Sequence, residues 1–152
     1  MALFTGTYVN KVDKKGRVSL PADFRAELPD DGQRTVYLYR SPKETALEAC
    51  DKEFMQRIAD SVEEFDLYSD DEGDLGSAIV ADAKRLQIDE TGRISLPPNF
   101  AAYARIVSQA TFVGRGSRFQ IWNPEAFEDH ARVARERSRT RTLRLTRPKG
   151  SA

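Results

Sequence analysis

The chain has 152 residues, 39% of them hydrophobic and 32% charged, which is enough apolar surface for a core beneath a densely charged exterior. No run approaches the roughly 18 consecutive apolar residues of a membrane span, and the opening Met1-Ala2-Leu3-Phe4-Thr5-Gly6 has neither the basic nor the apolar segment of a secretory signal. Basic and acidic residues balance at 24 each, but unevenly: in residues 44–74 Lys52 and Arg57 are the only bases, whereas across residues 132–149 seven arginines and one lysine face only Glu136.

In chain order, residues 7–12 (Thr-Tyr-Val-Asn-Lys-Val) are rich in strand formers. Asp13-Lys14-Lys15-Gly16 then supplies an Asx-turn residue at its start and a glycine free to take positive φ at its end. Residues 17–20 read as the returning strand of a hairpin, with the turn as its tip. Pro21 suits the first turn of a short helix that turns Phe24 and Leu28 inward. Residues 35–39 and 47–50 read as further strands. Cys50, the lone cysteine, forms no intrachain disulfide; it is expected to be a small buried apolar residue in a reducing, cytoplasmic protein. Asp51 is a candidate N-cap for a helix with Phe54, Met55, Ile58, Val62 and Phe65 on its apolar face. Ser69-Asp70-Asp71-Glu72-Gly73-Asp74 reads as an acidic connection.

The pattern then begins again. Residues 12–24 (Val-Asp-Lys-Lys-Gly-Arg-Val-Ser-Leu-Pro-Ala-Asp-Phe) return as residues 88–100 (Ile-Asp-Glu-Thr-Gly-Arg-Ile-Ser-Leu-Pro-Pro-Asn-Phe) without an insertion. The second copy offers Phe100, Tyr103 and Ala104 as the apolar face of its short helix, strands at 111–113 and 119–122, and an Asn123-Pro124 start to a helix carrying Phe127. Gly114-Arg115-Gly116 reads as a turn. Beyond Ser138 the arginine-rich tail offers too little apolar surface to offset ordering, and mobility is expected there. The organisation is a first repeat at 5–50, a helix and acidic connector at 51–80, a second repeat at 81–124, and a C-terminal helix and tail at 125–152.

A stiff tip bearing Lys11, Lys14, Lys15 and Arg17 suits double-stranded DNA. Lysines meet phosphates as point charges, and an arginine fork reads guanine edges in a major groove that admits a β-ribbon. Asp13 is assigned an architectural role, closing the turn through backbone N–H groups with Arg17 in reach; Gly16, Asp89 and Gly92 share that role. In the second loop Glu90 and Thr91 stand in place of the lysines, which removes most of the positive field and leaves Arg93 as its candidate contact. The plainer alternative is that both motifs are simply good hairpins. Catalysis is the least supported class: His130 is the sole histidine, metal-ligand spacing and a nucleotide-binding glycine loop are missing, and no metal or cofactor is expected.

The two Asp-x-x-x-Arg motifs, Asp13 to Arg17 and Asp89 to Arg93, each continue as Gly-Arg-hydrophobic-x-hydrophobic-Pro. With Gly114-x-Gly116-x-Arg118-Phe119-x-Ile121-Trp122, they make residues 6–127 resemble the MraZ family of SpoVT-AbrB-type double repeats. The resemblance implies a mainly β fold with short helices (α+β), a pseudo-two-fold swapped-hairpin β-barrel. It also implies homo-oligomeric rings, nucleoid association, and binding to repeated boxes upstream of the division and cell-wall operon that includes the protein's own promoter. The sequence departs from the family at Glu90-Thr91 and in the arginine-rich tail. Two rivals stay open: a non-catalytic ring-forming interaction protein, supported by the acidic middle, and an AbrB-like regulator of another regulon, against which two repeats in one chain count.

Overall fold

The computed structural model describes residues 1–30, 32, 34–64, 71–146 and 148. Strands β1 (Thr7–Lys11) and β2 (Arg17–Ser19) lead to helix α1 (Ala22–Glu27), β3 (Thr35–Arg40) and β4 (Leu47–Cys50). Helices α2 (Lys52–Glu64) and α3 (Asp71–Asp82) follow. The second copy supplies β5 (Lys84–Gln87), β6 (Arg93–Ser95), α4 (Pro98–Tyr103), β7 (Gln109–Gly114) and β8 (Phe119–Trp122), and α5 (Pro124–Ser138) closes the order. Among the described residues no helix is long and apolar enough to cross a membrane.

Among the described residues eight strands stand with five helices, and the class is α+β as expected. A six-stranded antiparallel sheet runs in the order β1-β7-β8-β4-β3-β5, beside a two-stranded ribbon of β2 and β6. β1 and β5 stand at the two ends of the larger sheet, and among the described residues no closed barrel is found. The copies interleave about a pseudo-two-fold: Val18 faces Ile94 in the ribbon and Glu48 faces Gln120 in the sheet, each the counterpart of the other.

The local hairpin read from residues 7–20 is corrected by this pairing. Between the two arms the one β-bridge is Val12 to Val18, with Asn10 Nδ2 donating to the Ser19 carbonyl at 2.7 Å; β1 pairs with β7 and β2 with β6. The exchange sets Val18 directly against Ile94, both 1% exposed, so each three-residue strand buries its one apolar residue against the other copy. It also pairs backbone groups across the copies, since Leu20 N–H donates to the Gly92 carbonyl at 3.0 Å and Leu96 N–H to that of Gly16 at 2.9 Å.

The core lies between these layers. Phe4, Phe24 and Phe119 form a ring cluster with centroids 4.9 to 5.4 Å apart in edge or tilted contact, a geometry that adds to their area burial. Phe24 and Leu28 are buried as read from the sequence, and so are Phe100 and Ala104. Tyr103 is different: it is 39% exposed and its hydroxyl donates to the Ser41 carbonyl at 2.7 Å, because a phenol can leave the core and still satisfy its polar end. Cys50 is fully buried, which pushes its thiol up to about 12.

Both proposed caps form. Asp51 Oδ1 accepts the Phe54 N–H at 2.9 Å, and Asn123 Oδ1 accepts that of Ala126 at 3.1 Å, with Pro124 opening α5. Met55 is buried, and Phe54, Ile58 and Val62 are half-buried; Phe65 lies outside the described residues. The acidic connection is corrected in part. Asp71 to Asp74 begin α3, while Ser69 and Asp70 lie outside the described residues. Two glycines make that segment a poor isolated helix, but Ile79 and Ala83 pack on Tyr39, Cys50 and Met55, and tertiary packing overrides propensity. Arg40 fastens the far end, its backbone N–H donating to Asp82 Oδ2 at 2.8 Å, and its guanidinium holds the Asp82 carboxyl below the usual range.

Candidate nucleic-acid interface

Each loop is built by its aspartate. Asp13 Oδ1 accepts the N–H groups of Lys15 at 2.9 Å and Arg17 at 2.8 Å, while Oδ2 takes Arg17 Nε at 2.7 Å. These contacts, led by the Arg17 backbone N–H, lower the Asp13 pKa. Gly16 closes the turn at φ +82°, a conformation that a side chain would strain.

The second loop repeats the design with one substitution of chemistry. Asp89 Oδ1 accepts the N–H groups of Thr91 and Arg93, both at 2.9 Å, and also the Thr91 hydroxyl at 2.7 Å; Oδ2 takes Arg93 Nε at 3.2 Å. The Arg93 N–H first, and then the hydroxyl, hold the Asp89 carboxyl at about 2. Thr91 therefore serves the turn where the first loop has a free lysine side chain. Gly92 takes φ +83° and is buried.

The loops form one unit. Besides the Leu20 and Leu96 backbone bonds, Arg93 Nη1 stands 3.9 Å from Asp13 Oδ2. Strand alternation does the rest: Val18 and Ile94 point into the core, so Arg17, Ser19, Arg93 and Ser95 share the opposite face of the ribbon, with Arg17 across from Ser95 and Arg93 across from Ser19. Both arginines are partly exposed, with 34% and 31% of their side-chain surface accessible. Each is partly neutralised by its aspartate, so the unshared positive field of the first loop comes from Lys11, Lys14 and Lys15, all exposed. The structure thus brings Lys14, Lys15, Arg17 and Arg93 to one two-loop surface, with Lys11 on the adjoining end of β1.

Sequence reading missed Arg25. This α1 residue sets its Nη1 3.4 Å from the Thr91 carbonyl, 66 residues away in the chain, and its guanidinium occupies the space where a Cβ on Gly92 would stand. The one available signal was the repeat itself, whose next position after Phe24 and Phe100 carries arginine in one copy and Ala101 in the other.

His130 lies 4.8 Å from the Trp122 ring, with its Nε2 3.4 Å from Glu44 Oε2. Among the described residues no group of three or more His, Cys, Asp or Glu could hold a metal ion.

A family model described as MraZ protein matches residues 3–40 and 79–147. The chain is similar to the transcriptional regulator MraZ of Gluconobacter oxydans (strain 621H), 40% identical over 155 residues that cover 100% of this chain and 93% of that protein. It is 37% identical to the protein of the same name from Pelagibacter ubique (strain HTCC1062), covering 90% of this chain and 88% of that one. The counterpart from Azorhizobium caulinodans (strain ORS 571) is also 37% identical, over 99% of this chain and 95% of its own length.

Proposed function

Because the chain belongs to the MraZ family, we propose that it is a sequence-specific DNA-binding transcriptional regulator acting on repeated boxes upstream of a division and cell-wall operon that includes its own promoter. The observation that carries this reading is the paired-loop surface, where exposed lysines flank a β-ribbon whose outer face holds Arg17 and Arg93. Lys11, Lys14 and Lys15 would meet phosphates, and Arg17 and Arg93 would reach base edges in a major groove wide enough for the ribbon. Asp13, Gly16, Asp89 and Gly92 hold both loops in shape beforehand, which reduces the entropy lost on binding.

One such surface makes few phosphate contacts and binds weakly at physiological salt. A homo-oligomeric ring presenting several copies to tandem boxes would turn later contacts into intramolecular ones, adding roughly 10²–10⁴ in avidity where the spacing fits. Work of this kind belongs in the cytoplasm at the nucleoid. The test is a titration of the full chain with a duplex spanning the DNA upstream of its own coding sequence, against a shuffled duplex of equal length. Tighter binding to the first is expected; equal affinity removes sequence specificity, and binding to neither favours the ring-forming interaction protein.

A further inference from the structure

We propose that Arg25 is the DNA-phosphate contact of the second loop, a cation lent by the helix of the first repeat to a loop that has none to spare. The inference rests on the DNA-binding reading above and adds a residue that no loop motif contains.

Charge makes the need plain. The first loop sets Lys14 and Lys15 beside Arg17, against Asp13 alone. The second has Asp89 and Glu90 against Arg93, so by its own residues it would repel a phosphate. Arg25 restores the balance, and the structure shows how it is seated. Its guanidinium covers Gly92, contacting the Thr91 carbonyl at 3.4 Å through one nitrogen, and it is only half-buried. Thr91 is its sole hydrogen-bond acceptor among the described residues, so most of the five N–H donors of the fork stay available. A concavity of about 700 Å³ opens in front of it, room for a sugar-phosphate backbone; Asp89, Glu90 and Thr91 line it too, with Arg34 held 3.5 Å from Asp30, so among the described residues Arg25 is its one cation without a carboxylate partner.

The first loop has no such visitor. Ala101 occupies the position equivalent to Arg25, and the nearest atom to a Cβ on Gly16 would be the Leu96 carbonyl oxygen at 3.5 Å. Each loop therefore has cations beside it: its own lysines in one case, a borrowed arginine in the other. The surface is closer to two-fold in charge than in sequence.

Salt dependence separates a phosphate contact from a brace, because each neutralised phosphate contributes about 0.9 to the slope of log affinity against log salt. Full-length Arg25→Gln keeps a donor for the Thr91 carbonyl but loses the charge, whereas Arg25→Lys keeps the charge. On the upstream duplex and on a random duplex, Arg25→Gln is expected to flatten the slope by about 0.9, and Arg25→Lys to restore it. An unchanged slope in Arg25→Gln overturns the proposal and leaves Arg25 as a brace. Neutralising Lys14 and Lys15 together tells the two failures apart: if that variant flattens the slope and Arg25→Gln does not, the regulator reading stands without Arg25. If the wild-type protein binds neither duplex, the reading falls and takes this inference with it.

Discussion

Arg93 reaches across the repeat boundary: its Nη1 lies 3.9 Å from Asp13 Oδ2 while its Nε holds Asp89 Oδ2 at 3.2 Å. The first loop's aspartate thus has two arginines near it, Arg17 at 2.7 Å and Arg93 farther off. Removing one leaves the other as a counter-cation.

That redundancy makes Arg17→Ala a clean probe. The Lys15 and Arg17 backbone N–H groups still bind Asp13 Oδ1, so the loop should keep its shape. Exposed ion pairs of this kind contribute little to stability, and the thermal midpoint should barely move. Preference for the upstream duplex over a shuffled one should fall by about 1–3 kcal/mol, the worth of one arginine fork on a base. Retained preference in an anisotropy titration would take Arg17 out of base contact.

Acid should open the second loop late. The folded-state pKa of Asp89 is about 2, below its ordinary 3.8, so the stability it contributes is fully present above the ordinary value and is lost as pH falls toward 2 and below. Carboxyl-carbon NMR should give a midpoint near 2 for Asp89. Asp89→Asn should flatten the fall of the thermal midpoint in that window. A midpoint near 3.8 would mean that the Arg93 and Thr91 bonds do not persist in solution.

The repeat, both loops, the strand positions at 35–39, 47–50 and 119–122, and both helix caps were legible because each depends on residues close together in sequence: a turn aspartate, a positive-φ glycine, an alternation, an Asn-Pro pair. What was not legible depended on partners far along the chain. Asp13-Lys14-Lys15-Gly16 is compatible with a local hairpin, and only the burial of Val18 against Ile94 decides for exchange. Helix α3 needs Tyr39 and Met55 beneath it, and Arg25 gains its place from Thr91. The cations of the two loops lie far apart in the chain, and the exchange of β2 and β6 is what brings them to one surface.

Glu48 anchors a buried polar network at the pseudo-two-fold. Its carboxylate accepts Tyr39 Oη and Arg118 Nε, both at 3.0 Å, and Gln120 Nε2 at 3.1 Å, while Gln120 Oε1 accepts Trp122 Nε1 and Arg115 Nε, both at 3.0 Å. Burial, and then the nearby carboxylate, push the Tyr39 hydroxyl far up. Glu48→Ala strands several donors at once and should cost about 3 kcal/mol in urea unfolding. Glu48→Gln, which keeps an acceptor and matches Gln120 across the axis, should cost less. Equal losses would show that packing, not polar satisfaction, is what Glu48 supplies.

The C-terminal tail is a separate matter from the loops. Residues 139–146 are exposed and form neither helix nor strand, with Leu143 and Leu145 more than 80% accessible, so this stretch buries none of its apolar side chains. Arg139, Arg141 and Arg144 lie in it; Arg147 and Lys149, counted in the basic stretch, lie outside the described residues. A truncation after Ser138 should therefore leave the unfolding midpoint in place. If the tail meets phosphates, affinity for a random duplex should drop, with the salt slope flatter by up to about 4–5 units at roughly 0.9 for each of the five bases removed, while the ratio between upstream and random duplexes stays constant, because such contacts carry no sequence information. An unchanged affinity for random DNA would assign the tail no part in binding, and a changed ratio would mean that it reads bases after all.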